Sequence, residues 1–378
     1  MSRRLSLVVV LLFAAAAAAG PSAADLTPHI DSLSAFDYST RMNAARMLRR
    51  APAADAVPAL AAAARRHPDQ FVRYRALVLL TSFNDPGTPD LMRSLIADRN
   101  DRVREVAYRW FERHPDEGLT LPLLAALETE QAEFVRPALV RAVAALPGDE
   151  AVQRALVAEI GRGFDFFRSA VIDVLGQRRA VYAVDAIAAV AASEGVLQDD
   201  AILALGRIGD RRAVDILSSV KSSPGAVAAL DAAKCMLGDA CAQHIARLVA
   251  AARNPSASPQ EIRSAATALS AMSEMNLESR AALLTLAGDA PARLQHEVAL
   301  ALAASALQQP AESIEWASRA SETDRTFWMA LLREGFQSLE EDFAEEQFFA
   351  VARAAYWKAG DASGARGIVA ALIDRLEF

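Results

Sequence analysis

The sequence of 378 residues is poor in the features that build most catalytic sites. Only 6% of the residues are aromatic, and two are cysteines. It contains no HExxH, no cysteine–histidine metal spacing, no GxxxxGK or GxGxxG phosphate loop and no GxSxG elbow. The histidines are scattered singly, at His29, His67, His114, His244 and His296. We therefore expect a protein that is not an enzyme, with no catalytic residue, metal site or cofactor.

Patterns typical of β-strands are also scarce. Long alternating runs of β-branched residues are missing, and glycine and proline are modest at 17 and 16 residues. Alanine and leucine dominate instead, and both favour helices. The composition predicts an all-α fold.

The chain has no excess of positive charge that would suggest nucleic acid as a partner. Residues 25–179 hold 21 basic and 21 acidic side chains, whereas residues 180–378 hold 17 and 26. Phosphate binding needs a concentrated basic face. We therefore expect no nucleic-acid partner, least of all for the acidic second half.

What the sequence does have is a repeated phrase, in which an acidic residue is followed by an arginine and then by small and aliphatic residues. Its acids recur at one constant interval, at Asp37, Asp69, Asp101, Glu133 and Asp165. Its arginines are Arg41, Arg73, Arg104, Arg136 and Arg168, and the column continues through Gln198, Leu230, Arg263 and Gln295. A fixed period of about 32 residues predicts stacked helical repeats, none of which can bury its apolar face alone.

Each repeat is predicted to contain two helices, the second of which begins at the phrase. The acid is then a candidate N-cap, worth about 1 kcal/mol. The arginine can pair with its own acid and with the acid of an adjacent repeat, at about 0.3–0.5 kcal/mol for each pair. We call these ten acids and arginines the ladder and expect them to fix how the repeats stack.

The phrases at Val72–Arg73, Val103–Arg104 and Val135–Arg136, and AILALGRIGDRRAVDIL at Ala201–Leu217, resemble short HEAT repeats, a type also found in phycobilin lyase subunits. The resemblance covers about residues 30–305. It implies a right-handed α-solenoid of about nine to ten two-helix repeats. The period of about 32 is shorter than that of long HEAT units, and the arginine is lost at Gln198, Leu230 and Gln295.

Three segments are expected along the chain. Residues 1–24 are predicted to be a secretory signal peptide, since Arg3 and Arg4 precede an apolar run that ends at small residues. A membrane anchor is the alternative, but the run of about 15 residues is shorter than the roughly 20 that a spanning helix needs. Residues 25–305 form the solenoid. Residues 306–378 form a helical C-terminal cap, in which residues 348–372 resemble a single tetratricopeptide hairpin.

Cleavage of the signal peptide would leave a periplasmic or extracellular protein of bacterial type, without stable membrane insertion. In such a compartment Cys235 and Cys241 can form a disulfide that closes the turn between two helices. The alternative is two small buried thiols. The sequence leaves both open.

The remaining surface suggests a protein partner. The second helices are expected to line the inner face of the solenoid, with the position five residues after each ladder arginine toward that face. This position and its neighbours place Arg46, Arg109, Arg141, Tyr74 and Trp110 there as candidate contacts for an acidic or aromatic-rich peptide. The alternative is that the arginines are solvated and Trp110 fills the core.

The predicted function is a non-enzymatic scaffold that binds a protein on its concave face in the cell envelope. One alternative is a regulatory or accessory subunit of an envelope enzyme. Another is a lyase or isomerase with a bound prosthetic group.

Overall fold

The computed structural model describes residues 26–220, 223–273, 276–289 and 310–338, together with scattered positions between 299 and 358. The expected signal peptide and residues 359–378 of the expected cap lie outside the described residues. All regular structure in the described residues is helical, without a strand. The all-α prediction is therefore confirmed.

Nineteen helices of at least five residues are named here in chain order. They are α1 Thr27–Asp31, α2 Tyr38–Arg50, α3 Ala53–Arg66, α4 Gln70–Thr81, α5 Thr88–Leu95, α6 Asp101–Arg113, α7 Thr120–Thr129, α8 Arg136–Ala145, α9 Glu150–Glu159, α10 Asp165–Gln177, α11 Val184–Ala191, α12 Gln198–Ile208, α13 Arg211–Ser219, α14 Pro224–Met236, α15 Cys241–Arg253, α16 Pro259–Ser273, α17 Leu277–Asp289, α18 Pro310–Arg319 and α19 Glu322–Ser338. Three short 3-10 turns lie at Ser32–Ser34, Glu117–Leu119 and Val181–Ala183.

The helices form two layers that follow the chain. From α2 to α16, each even-numbered helix packs against the next even-numbered one, and odd-numbered helices pack against their even-numbered neighbours in sequence. Because each unit contacts mainly the units before and after it, the fold is an α-solenoid, as the period predicted.

The even-numbered helices lie on the inside of the curve. Arg178, at the end of α10, donates from Nη2 to the carbonyl oxygen of Glu112 in α6 at 3.1 Å, past α8. Further on, α12 touches α16, and Gln260 Nε2 donates to Asp199 Oδ2 at 3.1 Å, past α14. Helices two repeats apart can meet only on the concave side of a bent stack.

The core runs between the two layers, and its densest part is the even-numbered layer. Every residue from Ala76 to Ser82 in and after α4 is buried, as is every residue from Glu105 to Phe111 in α6. Burial of successive residues leaves no solvent-facing side on these turns. Each fully buried leucine or valine contributes roughly 1.5–3 kcal/mol.

Helices α18 and α19 lie within the segment that was expected to cap the solenoid. Arg325, in α19, donates from Nε to the carbonyl oxygen of Ala317 at 2.8 Å and from Nη2 to that of Ala320 at 2.9 Å. These contacts close one helical hairpin in the same way as the ladder arginines do earlier. The boundary at residue 306 and the role of the segment as a cap stay predictions. No helix in the described ranges is long and apolar enough to cross a membrane.

Candidate partner-binding face

Two of the ladder arginines, Arg73 and Arg168, bind the end of the preceding odd-numbered helix. Arg73 Nε donates to Ala64 O at 2.9 Å, and Arg168 Nε donates to Ile160 O at 2.9 Å. Arg41 reaches the backbone before its own helix, where Nη1 donates to Ala35 O at 2.8 Å. The carbonyls of Ala64 and Ile160 are among the last of their helices, so Arg73 and Arg168 each satisfy a helix end while they join the two layers.

Three ladder arginines also reach a carboxylate in the next repeat. Arg73 Nη2 lies 2.5 Å from Asp98 Oδ2, and Arg136 Nη2 lies 2.9 Å from Glu159 Oε2. Arg104 pairs with Glu130 through two hydrogen bonds, both of 2.8 Å. The sequence pointed to acids of the repeated phrase, whereas these acceptors lie at the ends of odd-numbered helices.

The acids of the phrase differ in what they do. Asp37 accepts from the backbone N–H of Thr40, and Asp69 from that of Phe71, both at 2.8 Å. At the third copy the cap is Asn100, not the predicted Asp101. The last two acids do not cap; Glu133 pairs with Arg136 at 3.2 Å, and Asp165 pairs with Arg168 at 2.9 Å.

Hydrogen bonds hold two of the inter-repeat carboxylates, Asp98 and Glu130, in the charged form. Burial alone would raise the pKa of Asp98, but the hydrogen bonds from Arg73 and the backbone N–H of Asn100 lower it below the usual value. Burial likewise opposes the lowering of the pKa of Glu130, and the Arg104 hydrogen bonds outweigh it. Hydrogen bonding to the ionised form is the decisive cause at both sites.

The ladder changes character at Gln198. Its Nε2 donates to Ala191 O at 3.0 Å, which reproduces the bond from a ladder arginine to the end of the preceding helix. A neutral amide cannot form the second contact, the ion pair with the next repeat. Gln198 therefore keeps one of the two roles of a ladder arginine.

Two of the residues expected on the inner surface lie in the interior. Arg109 is 6% exposed, and its Nη2 lies 2.9 Å from Glu105 Oε1. Trp110 is 5% exposed and stacks on His114 with ring centroids 3.7 Å apart. The neighbouring Tyr108 is also buried, and burial raises its pKa to about 12. The expectation that Arg109 and Trp110 face solvent is corrected, because adjacent inner helices close over α6.

The other expected contacts are half-buried and lie in three different repeats. Arg46, in α2, is 3.4 Å from Asn43 Oδ1. The Tyr74 ring packs against that of Phe71 with centroids 6.0 Å apart, and Arg141 Nε is 3.4 Å from Glu112 Oε2. The five residues therefore do not form one cluster, and their role in binding a partner stays a prediction.

A different feature recurs along the inner layer: an exposed apolar side chain near the start of one even-numbered helix after another. We call this set the apolar row; it consists of Tyr38, Phe71, Phe134, Phe166, Val196 and Val227. Each lies two or three residues before a ladder position. Between Tyr38 and Val227, Arg102 occupies the one step without an apolar residue, and its guanidinium lies 4.3 Å from the ring centroid of Phe134. The row is visible in the sequence as the residues just before the arginine column, but helical patterning alone did not show that they are exposed.

The inner face opens into a groove between α10 and α12, with a volume of about 220 Å³. We call it the α10–α12 groove; its lining residues are Phe166, Ser169, Ala170, Asp173, Asp200, Leu203 and Arg207. Phe166 belongs to the apolar row and is 67% exposed. Asp173 and Leu203 each lie five residues after a ladder position. The equivalent residues in α4 and α6 are Val78 and Arg109, and both are buried.

The turn between α14 and α15 contains a disulfide and, beside it, a cluster of charged side chains. A disulfide joins Cys235 to Cys241 across it, with Cα atoms 4.3 Å apart. Beside it the buried Asp231 accepts from Arg247 Nη2 at 2.6 Å, and His244 Nδ1 lies 2.7 Å from the same oxygen. The cluster stabilises the hairpin. No group of three or more potential metal ligands occurs in the described part of the chain.

Two stacked helical layers joined by the arginine ladder define an α-solenoid. The sequence profile for HEAT repeats matches residues 26–112, so this part of the chain consists of HEAT repeats, as the resemblance implied. No curated protein sequence matches the chain.

Among solved structures, several give low-scoring matches to long stretches of this chain. The CpcE–CpcF complex of phycocyanin lyase from Nostoc sp. PCC7120 is 20% identical, with a TM-score of 0.36, and the match covers 69% of this chain and 97% of that one. Kap121p bound to RanGTP is 14% identical, with a TM-score of 0.32, over 93% of this chain and 36% of that one. An engineered protein is 17% identical, with a TM-score of 0.29, over 94% and 99%.

Proposed function

We propose that the chain is a non-enzymatic scaffold that holds a protein partner against the apolar row and the α10–α12 groove. The observation that carries the proposal is the recurrence of the row. Single exposed apolar residues are ordinary on a protein surface, but an ordered series, one for almost every repeat, is not.

The spacing of the row indicates how a partner would lie. Packed helices are about 8–10 Å apart, so successive row positions should be separated by about that distance. A polyproline II segment has three residues per turn and rises about 3.1 Å per residue, so every third side chain faces the same side at intervals of about 9 Å. A partner segment in this conformation, with an apolar side chain at every third residue, would therefore match the row step by step.

Site-specific photo-crosslinking in the native host tests this function. A photoreactive residue replaces Phe166 or Val196 in the full chain, and the matched control replaces Leu121, which is 77% exposed but lies on α7 in the outer layer. We expect the same crosslinked protein from both row positions and none from the control. The captured protein, once purified, should bind the chain and lose affinity when Phe71 and Phe134 are replaced by alanine.

The result would contradict the proposal if all three positions gave the same adducts, or if the purified partner bound both forms equally. The proposal includes export to the periplasm or the extracellular space. Its support is the charged start, apolar run and small-residue site within residues 1–24. N-terminal sequencing of the protein from the host should show a chain that starts at Asp25, and an intact Met1 would count against export.

A further inference from the structure

The α10–α12 groove has a negative charge that the protein itself does not neutralise. Asp173 is held by Arg207 and by Gln177, whose Nε2 donates at 2.6 Å. Asp200, on the other wall, makes no ion pair with any residue in the described chain. With one arginine against two carboxylates, the groove favours a cationic group.

The aromatic wall of the groove favours the same group. Phe166 and Phe134 occupy equivalent positions in successive copies of the repeated phrase. The ring of Phe134 is covered by the guanidinium of Arg102, one repeat earlier, whereas the equivalent position before Phe166 is Phe134 itself. No cation of the described chain lies over the ring of Phe166. The stacking of Arg102 on Phe134, one repeat earlier, is therefore the contact that a guanidinium from another protein could make with Phe166.

We propose that the α10–α12 groove binds an arginine side chain of the protein partner. The guanidinium stacks on Phe166 and pairs with the carboxylate of Asp200, while the aliphatic stem lies along Leu203. The inference rests on the proposed scaffold function and adds the chemistry of one partner residue. The groove is large enough for an arginine side chain. Its volume is about 220 Å³, whereas one water molecule needs only about 10–15 Å³ by the same measure.

The two walls together select arginine over other side chains. An acidic side chain would be repelled by Asp200, and an apolar one would gain no ion pair. Lysine can form the ion pair, but its compact ammonium does not stack as a planar guanidinium does. We therefore expect a preference for arginine over lysine, and for both over an uncharged analogue.

Methyl NMR on the full chain measures this preference directly. Leucine methyl groups are labelled with carbon-13, and the Leu203 methyls report on the groove. The probes are N-acetyl-arginine N-methylamide, its lysine counterpart and its citrulline counterpart, which has the same shape without the charge. We expect a saturable shift of the Leu203 signals with arginine, a weaker one with lysine and the weakest with citrulline.

Substitutions locate the charge that matters. Asp200→Asn should weaken arginine binding by about fivefold, as for loss of a partly exposed ion pair. Asp199→Asn is the matched control, since it removes the same charge from the same helical turn but outside the groove. Phe166→Leu should remove the preference for arginine over lysine. An unchanged methyl spectrum away from the groove shows that each variant is folded.

Several outcomes would overturn the inference: no saturable shift of Leu203 with arginine, equal binding of citrulline, or equal effects of the two aspartate variants. Its failure is distinguishable from failure of the scaffold function. If the crosslinked partner still binds the apolar row but is indifferent to Asp200→Asn, the scaffold stands and the arginine site falls.

Discussion

The first repeats and the middle repeats of the solenoid use different means to fix the stacking of their inner helices. Between α4 and α8, buried ion pairs such as Arg104–Glu130 connect one repeat to the next. Between α10 and α14, glycines allow the backbones to approach instead. A Cβ on Gly176 would lie 2.8 Å from the Cα of Ala204, and one on Gly206 would lie 2.7 Å from that of Ala229.

The difference shows that one repeat period can be maintained by charge or by close backbone contact. An ion pair fixes the register through directed hydrogen bonds, but it needs a buried carboxylate that must stay ionised. Close packing through glycine has no dependence on pH, but it tolerates no added atom. The ion-paired region should therefore be destabilised by acid or by loss of an arginine, and the glycine region by an added side-chain atom.

The largest effect is expected from Arg104→Met in the ion-paired region. The substitution leaves the Glu130 carboxylate, whose side chain is only 4% exposed, without its cation. Removal of one partner from a buried pair costs about 3–5 kcal/mol. Local unfolding free energies from hydrogen exchange should fall by that amount in α6 and α8.

Arg102→Met is the matched control for this prediction. It removes an arginine from the same helix, but the Arg102 side chain is 54% exposed and pairs with Glu105 at 3.1 Å. An exposed pair contributes about 0–1 kcal/mol. Equal losses in the two variants would show that the buried ion pair does not fix the stacking.

The next effect is expected from Gly206→Ala in the closely packed region. Alanine normally stabilises a helix by about 1 kcal/mol relative to glycine. Here the new methyl would lie within 2.8 Å of backbone atoms of Ala229, and overpacking costs about 1–3 kcal/mol or more. We expect a net loss of about 1–2 kcal/mol, measured by hydrogen exchange in α12 and α14. Gly195→Ala is the control, because nothing lies within 4 Å of the added atom. If Gly206→Ala made the protein more stable, the close contact between α12 and α14 would be refuted.

The sequence was sufficient for the architecture and insufficient for the partners of the ladder. The constant interval between the acids of the phrase predicted the helix pairs, and the helix expected to begin at the phrase of Asp69 is α4, Gln70–Thr81. The true acceptors Asp98, Glu130 and Glu159 follow one another at intervals of 32 and 29 residues, so only two of them are spaced like the phrase, too few to stand out as a column. The sequence analysis paired the arginines with the regular acids of the phrase, because a local pair is easier to recognise in a sequence than a pair across repeats.

The expected exposure of Arg109 and Trp110 was wrong for a related reason. Helical patterning shows which side of a helix faces its nearest partner, but it does not contain the curvature of the whole stack. In the structure, α4 and α8 both pack against α6, and Arg178 at the end of α10 reaches Glu112 near the end of α6. These contacts could not be read from any single repeat.

Acid should separate the two regions without any substitution. The pKa values of Asp98 and Glu130 are lowered in the folded state, so their contribution to stability is complete above the unfolded values and is lost as the pH falls through the folded ones. Below about pH 4, where unfolded carboxylates bind protons, α4 to α8 should therefore lose exchange protection before α12 does. Arg104→Met should make this loss less dependent on pH, and simultaneous loss in both regions would contradict the comparison.

The smallest effect is expected where the ladder stops, in Gln198→Arg. The arginine can keep the hydrogen bond to Ala191 O. In the earlier ladder pairs the acid lies about 23–26 residues after the arginine. Residues 220–224 read VKSSP and contain no acid, so the new arginine has no carboxylate to pair with. The free energy of unfolding should therefore change by less than about 0.5 kcal/mol. Denaturant midpoints of this variant and of Gln198→Met test both roles, since methionine loses the carbonyl contact and should cost about 1 kcal/mol. A clear gain from Gln198→Arg would mean that the arginine alone, without its carboxylate, stabilises the stack, and the ion pairs of the first repeats would then be dispensable.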